Sequence, residues 1–407
     1  MADGVIGVAW TVKLGPDVGQ VRYRRLMGAG CGIGHLHGPE PGLDQVEREG
    51  QEADWQVGYR MEAEERPLVW VGRGLAEFGI TPGTALASEE DMEAADALMD
   101  GRDPRTGEQL VDPKVEVAPI AKLPALPFVT ALVAAGVEHG LQAGAPAREL
   151  LSIGGREPGG KAVKRLERIG RGIEREGEAH AISINDLEWL ADLAGLDLSE
   201  VYPEGKLAAA RNNRHERVRI GNRGYDLTLD LPKSLSVLYG LAEGELAAGI
   251  EDVYTAAVHE TVAAVEDWVA YGLRGHHGDG RQAERIETSG LAGWIMWHAV
   301  ARPVDGQAPD PHWHAHVVLA NMARGLDGKW SAIGAGGTDL HRHTHAADAL
   351  LKARIRYELT KTYGIAWEHN PETGAWEIAA ILAELRQHFS KRDGADQAGL
   401  RRARPGL

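Results

Sequence analysis

The chain has 407 residues, with 44 Lys and Arg against 60 Asp and Glu, so its net charge of −16 and pI near 5.5 exclude a uniformly basic nucleic-acid coat but allow a local basic groove. A hydrophobic content of 43% is that of an ordinary globular chain with room for roughly two or three domains, and the single Cys31 excludes a disulfide framework or a cysteine-rich zinc site. No run reaches the ~18 apolar residues of a membrane span, and Met1-Ala2-Asp3-Gly4 lacks the basic start of a secretory signal, so a cytoplasmic setting is expected.

In chain order, Val5 to Val12 reads as a strand and Gln20 to Leu26 as a short piece carrying Tyr23. The Gly- and Glu-rich stretch from Gly28 to Ala53 reads as a long surface loop, followed by a short strand from Leu68 to Val71. Ser88, with Asp91 three residues on, predicts a capped helix from Glu89 to Met99. Phe128 to Leu141, the charged run Lys161 to Arg175 and Asp186 to Leu193 read as helices without a convincing strand between them. Residues 119–214 are therefore expected to form a helical insert between an N-terminal part, 1–118, and a core region, 215–407.

The second half is more regular. Tyr225 to Leu231 alternates, with Tyr225, Leu227, Leu229 and Leu231 on one face and Asp226, Thr228 and Asp230 on the other, which alternation alone assigns to solvent. Pro232 fits the first position of a helix. Ile250 to Trp268 repeats at helical spacing, Ala346 to Tyr363 is a helix closed by Gly364, and Ile365 to Glu368 with Ala375 to Ile378 forms a hairpin. Long helices between antiparallel strands point to an α+β fold with a mainly antiparallel sheet.

The chemistry concentrates in two strands, Trp294 to Arg302 and His312 to Ala320, joined by a turn rich in Pro and Gly. His312, His314 and His316 point one way, but the outer two lie roughly 13 Å apart at about 3.3 Å per residue, so they cannot share one ion. With Arg302 pairing near His312, His298 falls opposite His316 and diagonal to His314. Opposite Cβ atoms sit at ~5 Å and diagonal ones at ~7–8 Å, a spread that converges on a metal with bonds of about 2.0–2.1 Å. His341, His343 and His345 look like a second cluster but are read as the start of a helix.

Once these elements are placed, Gly224-Tyr225-Asp226-Leu227-Thr228 through Pro232-Lys233-Ser234-Leu235-Ser236-Val237 resembles the strand–helix signature of MobF-type conjugative relaxases. Pro309-Asp310-Pro311-His312-Trp313-His314-Ala315-His316 resembles their metal-binding strand, and Gly364 to Glu368 and Glu384 to Arg392 add agreement. The resemblance implies an HUH endonuclease fold with flanking helices. In that fold a tyrosine nicks one DNA strand, through a covalent 5′-phosphotyrosine, beside a divalent metal on three histidines. By motif the ligands are His298, His314 and His316, while Asp226 is the supporting acid, acting as a base toward the tyrosine or as a partner to a ligand. The nucleophile is expected at Tyr23, with Tyr59 as a second tyrosine before the Trp70-Val71-Gly72 turn.

The resemblance also implies single-stranded DNA at a transfer origin, and other conjugation proteins, as partners. Imidazole donors suit Zn, Mn, Co, Ni or Cu better than Mg, yet the family implies that Mg serves, so Mg or Mn is the expected ion in cells. Arg211, Arg214, Arg217, Arg219 and Arg223, with Lys233, are the candidate DNA contacts; Trp297, Trp313 and Trp330 could stack on unpaired bases, but Trp297 and Trp313 are read as core or sheet-face residues first. No GxxxxGK[ST] phosphate loop occurs. A catalytically degenerate origin-binding protein and a three-His hydrolase are the competing readings.

Overall fold

The computed structural model describes residues 9–16, 66–275, 282–301, 308–371 and 374–391. The chain divides into two compact units, one of Met1–Pro113 with Asn222–Leu407 and one of Lys114–Gly221. The piece carrying Tyr23, the long loop and Tyr59 lie outside the described residues.

The larger unit is built on six strands, β1 (Trp10–Leu14), β2 (Leu68–Val71), β3 (Ala85–Leu86), β4 (Gly224–Asp230), β5 (Gly293–Val300) and β6 (Pro311–Ala320). They run in the order β1-β4-β6-β5-β2-β3, with every neighbouring pair antiparallel. This is the mainly antiparallel α+β architecture that the sequence predicts. Gly224 and Gly293 flank β6 on its two sides, against its backbone. A Cβ at either would overlap a β6 carbonyl, that of Leu319 or Val318.

Period-two alternation sorts the sheet into two faces. On one, Leu14, Trp70, Trp294, Met296 and Val318 pack on Ala95, Leu98 and Met99 of helix α1 (Glu89–Met99). Ser88 caps α1 with the reciprocal Asp91 bonds of a capping box. On the other, Leu227, Leu229, Ile295, Trp297, Trp313 and Val317 meet helices α2 (Lys233–Leu241), α3 (Gly244–Val269) and α4 (Thr338–Tyr363). Tyr254 of α3 fixes this layer. Its hydroxyl donates to the Leu229 carbonyl at 2.6 Å, and its ring stands edge-on to Trp297 and Trp313 at 5.6 and 4.7 Å.

Several boundaries move. Helix α2 begins at Lys233, with Pro232 as its N-cap, and α4 begins already at Thr338, so His341, His343 and His345 lie within its body. Gly364 ends α4 in the left-handed conformation, as its position predicts. The closing hairpin pairs Trp367–His369 with Trp376–Ile378.

The smaller unit packs helices Ala125–Glu138, Gly160–Glu176, Ile184–Ala194 and Glu204–Asn212 around Phe128, Leu132, Leu166, Ile169, Leu187 and Leu190. It is not free of strands, contrary to expectation. Within residues 119–214 Lys122–Pro124 pairs with Ala181–Ser183, and just outside them Val115–Val117 pairs with Arg217–Arg219. Three-residue strands are too short for alternation to register in a sequence.

Candidate metal centre

His298 of β5 and His314 and His316 of β6 come together at one end of the α1-side face of the sheet, beyond the apolar cluster that closes the other end. Their ring centroids are 5.0, 5.1 and 5.1 Å apart, a nearly equilateral triangle. One ligand nitrogen from each lies within 4.8 Å of the others, the one such group of three among the described residues. His298 Nδ1 is 3.3 Å from His314 Nε2. That matches the ~3.4 Å between two ligands on bonds of about 2.1 Å in a tetrahedral site.

The register differs from the expected one. His298 stands directly opposite His314, and Met296 opposite His316. The strands end earlier than Arg302, because a bulge falls between His298 and Val300, Val300 pairs with Pro311, and Ala301 donates to the Asp310 carbonyl at 2.9 Å. The three candidate ligands still converge, since the diagonal and the opposite partner have exchanged roles. The bulge re-aims the strand end beside the site, a common place for one.

Outer contacts fix which nitrogens face the centre. His314 Nδ1 donates to the His312 carbonyl at 2.8 Å, which leaves Nε2 bare. His316 Nδ1 donates to Asp226 at 2.9 and 3.1 Å and is 3.2 Å from Thr228 Oγ1, which leaves Nε2 as its candidate ligand nitrogen. Burial pushes His314 well below the ordinary imidazole pKa, and the neighbouring His312, His316 and His298 push the same way. A neutral ring is the form that binds metal. The donor set therefore fits a divalent cation, with the oriented second layer that metal-bound histidines usually have.

Asp226 is buried, not solvated, because Val12 and Val318 flank it on neighbouring strands. Its carboxylate lies at hydrogen-bond distance from His316 Nδ1, the geometry of a partner to a candidate ligand. The Thr228 contact and the His312 carbonyl were not singled out in the sequence. Alternation places Thr228 beside Asp226, but a backbone acceptor leaves no signal. His312 stacks obliquely on His314 at 4.7 Å and is not part of the converging group.

The other candidates are dispersed. Arg211 and Arg214 both bond Glu188, at 2.8 and 3.0 Å, and Arg217 donates to the carbonyls of Arg214 and Glu216. Burial lowers the pKa of Arg219. These four belong to the smaller unit. In the larger, Arg223 pairs with Asp100 and donates to the Pro16 carbonyl, and Lys233 Nζ donates to the Pro311 carbonyl at 2.9 Å. Trp297 and Trp313 are buried core residues, not stacking platforms, and Trp330 stacks on Phe78 at 5.3 Å. His343 stacks on Trp268, and His341 Nδ1 lies 3.0 Å from Thr11 Oγ1.

Comparison with known proteins gives the arrangement a family. No curated protein matches the chain. Among solved structures, the conjugative relaxase TrwC in complex with oriT DNA, metal-bound, is 16% identical with a TM-score of 0.50, over 97% of this chain and 83% of that one. The metal-free TrwC complex is 16% identical with a TM-score of 0.46, over 86% and 83%. The family profile TrwC relaxase matches residues 42–404, which includes Tyr59, Asp226 and the three histidines but not Tyr23. The chain belongs to the TrwC relaxase family.

Proposed function

We propose that this chain nicks one strand of DNA at a transfer origin and transfers it through a covalent 5′-phosphotyrosine. The observation that carries this reading is the triangle of imidazoles with oriented outer nitrogens, in a chain of the TrwC relaxase family. His298, His314 and His316 are the proposed ligands, with Mg or Mn as the ion in cells and Zn, Ni, Co or Cu as ions the same donors accept. When bound, a divalent cation supplies Lewis-acid stabilisation of negative charge on the phosphate.

The protein's own groups do the rest. Tyr23 is the proposed nucleophile and Tyr59 an auxiliary tyrosine. The Tyr23 oxygen forms the ester bond to phosphorus as the bond to the departing 3′-oxygen breaks. The phenol gives up its proton and the 3′-oxygen gains one, so the exchange balances without a cofactor and the strand can be rejoined. Asp226 positions His316, while Arg211, Arg214, Arg217, Arg219, Arg223 and Lys233 contribute positive charge toward the backbone phosphates. Arg211 and Arg214 must exchange Glu188 for phosphate to do so. The enzyme acts in the cytoplasm alongside other conjugation proteins.

Incubation with a labelled single-stranded origin oligonucleotide tests the reading. A protein–DNA adduct that survives denaturant is expected. Tight binding without an adduct would instead indicate a degenerate origin-binding protein, and cleavage to free 5′-phosphate without an adduct a three-His hydrolase.

A further inference from the structure

On the face of the sheet that carries the histidines, edge strand β1 presents two apolar side chains. Thr11 contacts His341 of α4 on the opposite face, while Leu14 is buried on the histidine face, in the same apolar cluster as Met296 and Val318. By alternation Trp10 and Val12 share the face of Leu14. They are 44% and 39% exposed. A solvated tryptophan on an edge strand is unusual, since such edges are normally blunted by charge or covered.

The register ties this indole to the metal centre. Trp10 pairs with Thr228, Thr228 with His316, and His316 with Met296. Two inter-strand spacings place the Trp10 Cα about 10 Å from that of His316. Among the described residues, the row ends on one side in buried Met296 and on the other in Trp10, which is 44% exposed. A strand whose phosphate sits at the histidines can thus leave the centre over Trp10.

We propose that Trp10, backed by Val12, is a platform on which an unpaired base of the DNA stacks, a few nucleotides from the phosphate at the centre. The occupant follows from continuity with the site and from the π-face that every base presents to an indole. The inference rests on the nicking reading for the presence of DNA. Trp297 and Trp313 cannot serve, because Tyr254 holds them in the core.

The experiment measures the affinity of the full chain for single-stranded origin oligonucleotides carrying one abasic site at successive positions near the nick. Wild type, Trp10→Leu and Trp10→Phe are compared in Mg-containing buffer. Trp10→Leu should bind the intact oligonucleotide about 5- to 150-fold more weakly, the range of one lost base–aromatic stack, and Trp10→Phe should keep most of the affinity. At one position the abasic penalty of wild type should vanish in Trp10→Leu, a coupling that mere loss of packing would not produce. If Trp10→Leu melts early, Trp10→Phe carries the test through a reduced penalty at that same position.

Parallel abasic profiles in all three proteins would overturn the proposal and mean that the indole is covered by another part of the chain. Adduct formation is read on the same wild-type samples. Coupling without an adduct would sink the nicking reading and leave the stacking platform, whereas an adduct without coupling would do the reverse.

Discussion

His298 and His314 stand directly opposite each other on neighbouring strands, with His298 Nδ1 3.3 Å from His314 Nε2. This pairing makes His312 and His316 both diagonal to His298, so register alone cannot choose the third member. The bulge after His298 breaks the symmetry at the His312 end, and His316 completes the triangle. His314→Ala and His316→Ala should therefore lose stoichiometric metal and strand cleavage. His312→Ala should largely spare both, because its carbonyl, which orients His314, survives the substitution. Metal content by elemental analysis decides it, and equal loss in the His312 variant would reject the assignment.

Much of this site was legible because few patterns compete with it. Three histidines at alternate positions of one strand, facing a fourth on a strand joined by a short connection, leave little freedom. The rest depended on long-range packing. Alternation alone would leave Asp226 in solvent, since it reports faces and not what covers them, and only the family motif marked it as functional. Trp297 and Trp313 are core residues, as their place on the sheet favours over base stacking, and Tyr254, remote in sequence, packs against both. The bulge depends on how the loop closes, through Ala301 and Asp310, and carries no composition signal.

With Asp226 as the proposed partner of His316, Asp226→Ala should weaken metal binding about 10- to 100-fold, the usual effect of removing an outer-layer partner. Nicking should then recover as metal concentration is raised. A base acting directly on the tyrosine would behave otherwise, with activity lost at saturating metal. Titration of metal with adduct yield as the readout separates the two roles.

Asp230 offers a test of pH dependence. Burial pushes its carboxyl from an ordinary 3.8 up to about 6, with repulsion from Asp348 acting the same way and Lys352 opposing both. Lys352 Nζ lies 3.5 Å from Asp230 and 2.7 Å from Asp348, so one ammonium is shared by two carboxylates. A raised acid favours the folded state fully below pH 3.8, and that contribution is lost as pH rises toward 6. The loss amounts to at most about 3 kcal/mol. Asp230→Asn should therefore stabilise the fold little near pH 4, increasingly up to pH 6, and by a constant amount above it. Urea unfolding of both proteins across that range checks the sign. A variant less stable than wild type at neutral pH would show that the Lys352 pair outweighs burial.

The nucleophile is the remaining assignment. Tyr23→Phe keeps the ring and deletes the attacking oxygen, so folding, metal content and DNA affinity should persist while the covalent adduct disappears. Tyr59→Phe should slow the reaction modestly or leave it unchanged. Metal content is the internal control, since neither tyrosine lies on the strands that carry the three histidines. Collapse of the centre would lower metal and adduct together, whereas loss of the nucleophile lowers the adduct alone. Mass spectrometry of the adducted peptide then locates the oxygen. An adduct on Tyr59, which the family profile includes while Tyr23 precedes it, would transfer the catalytic role there.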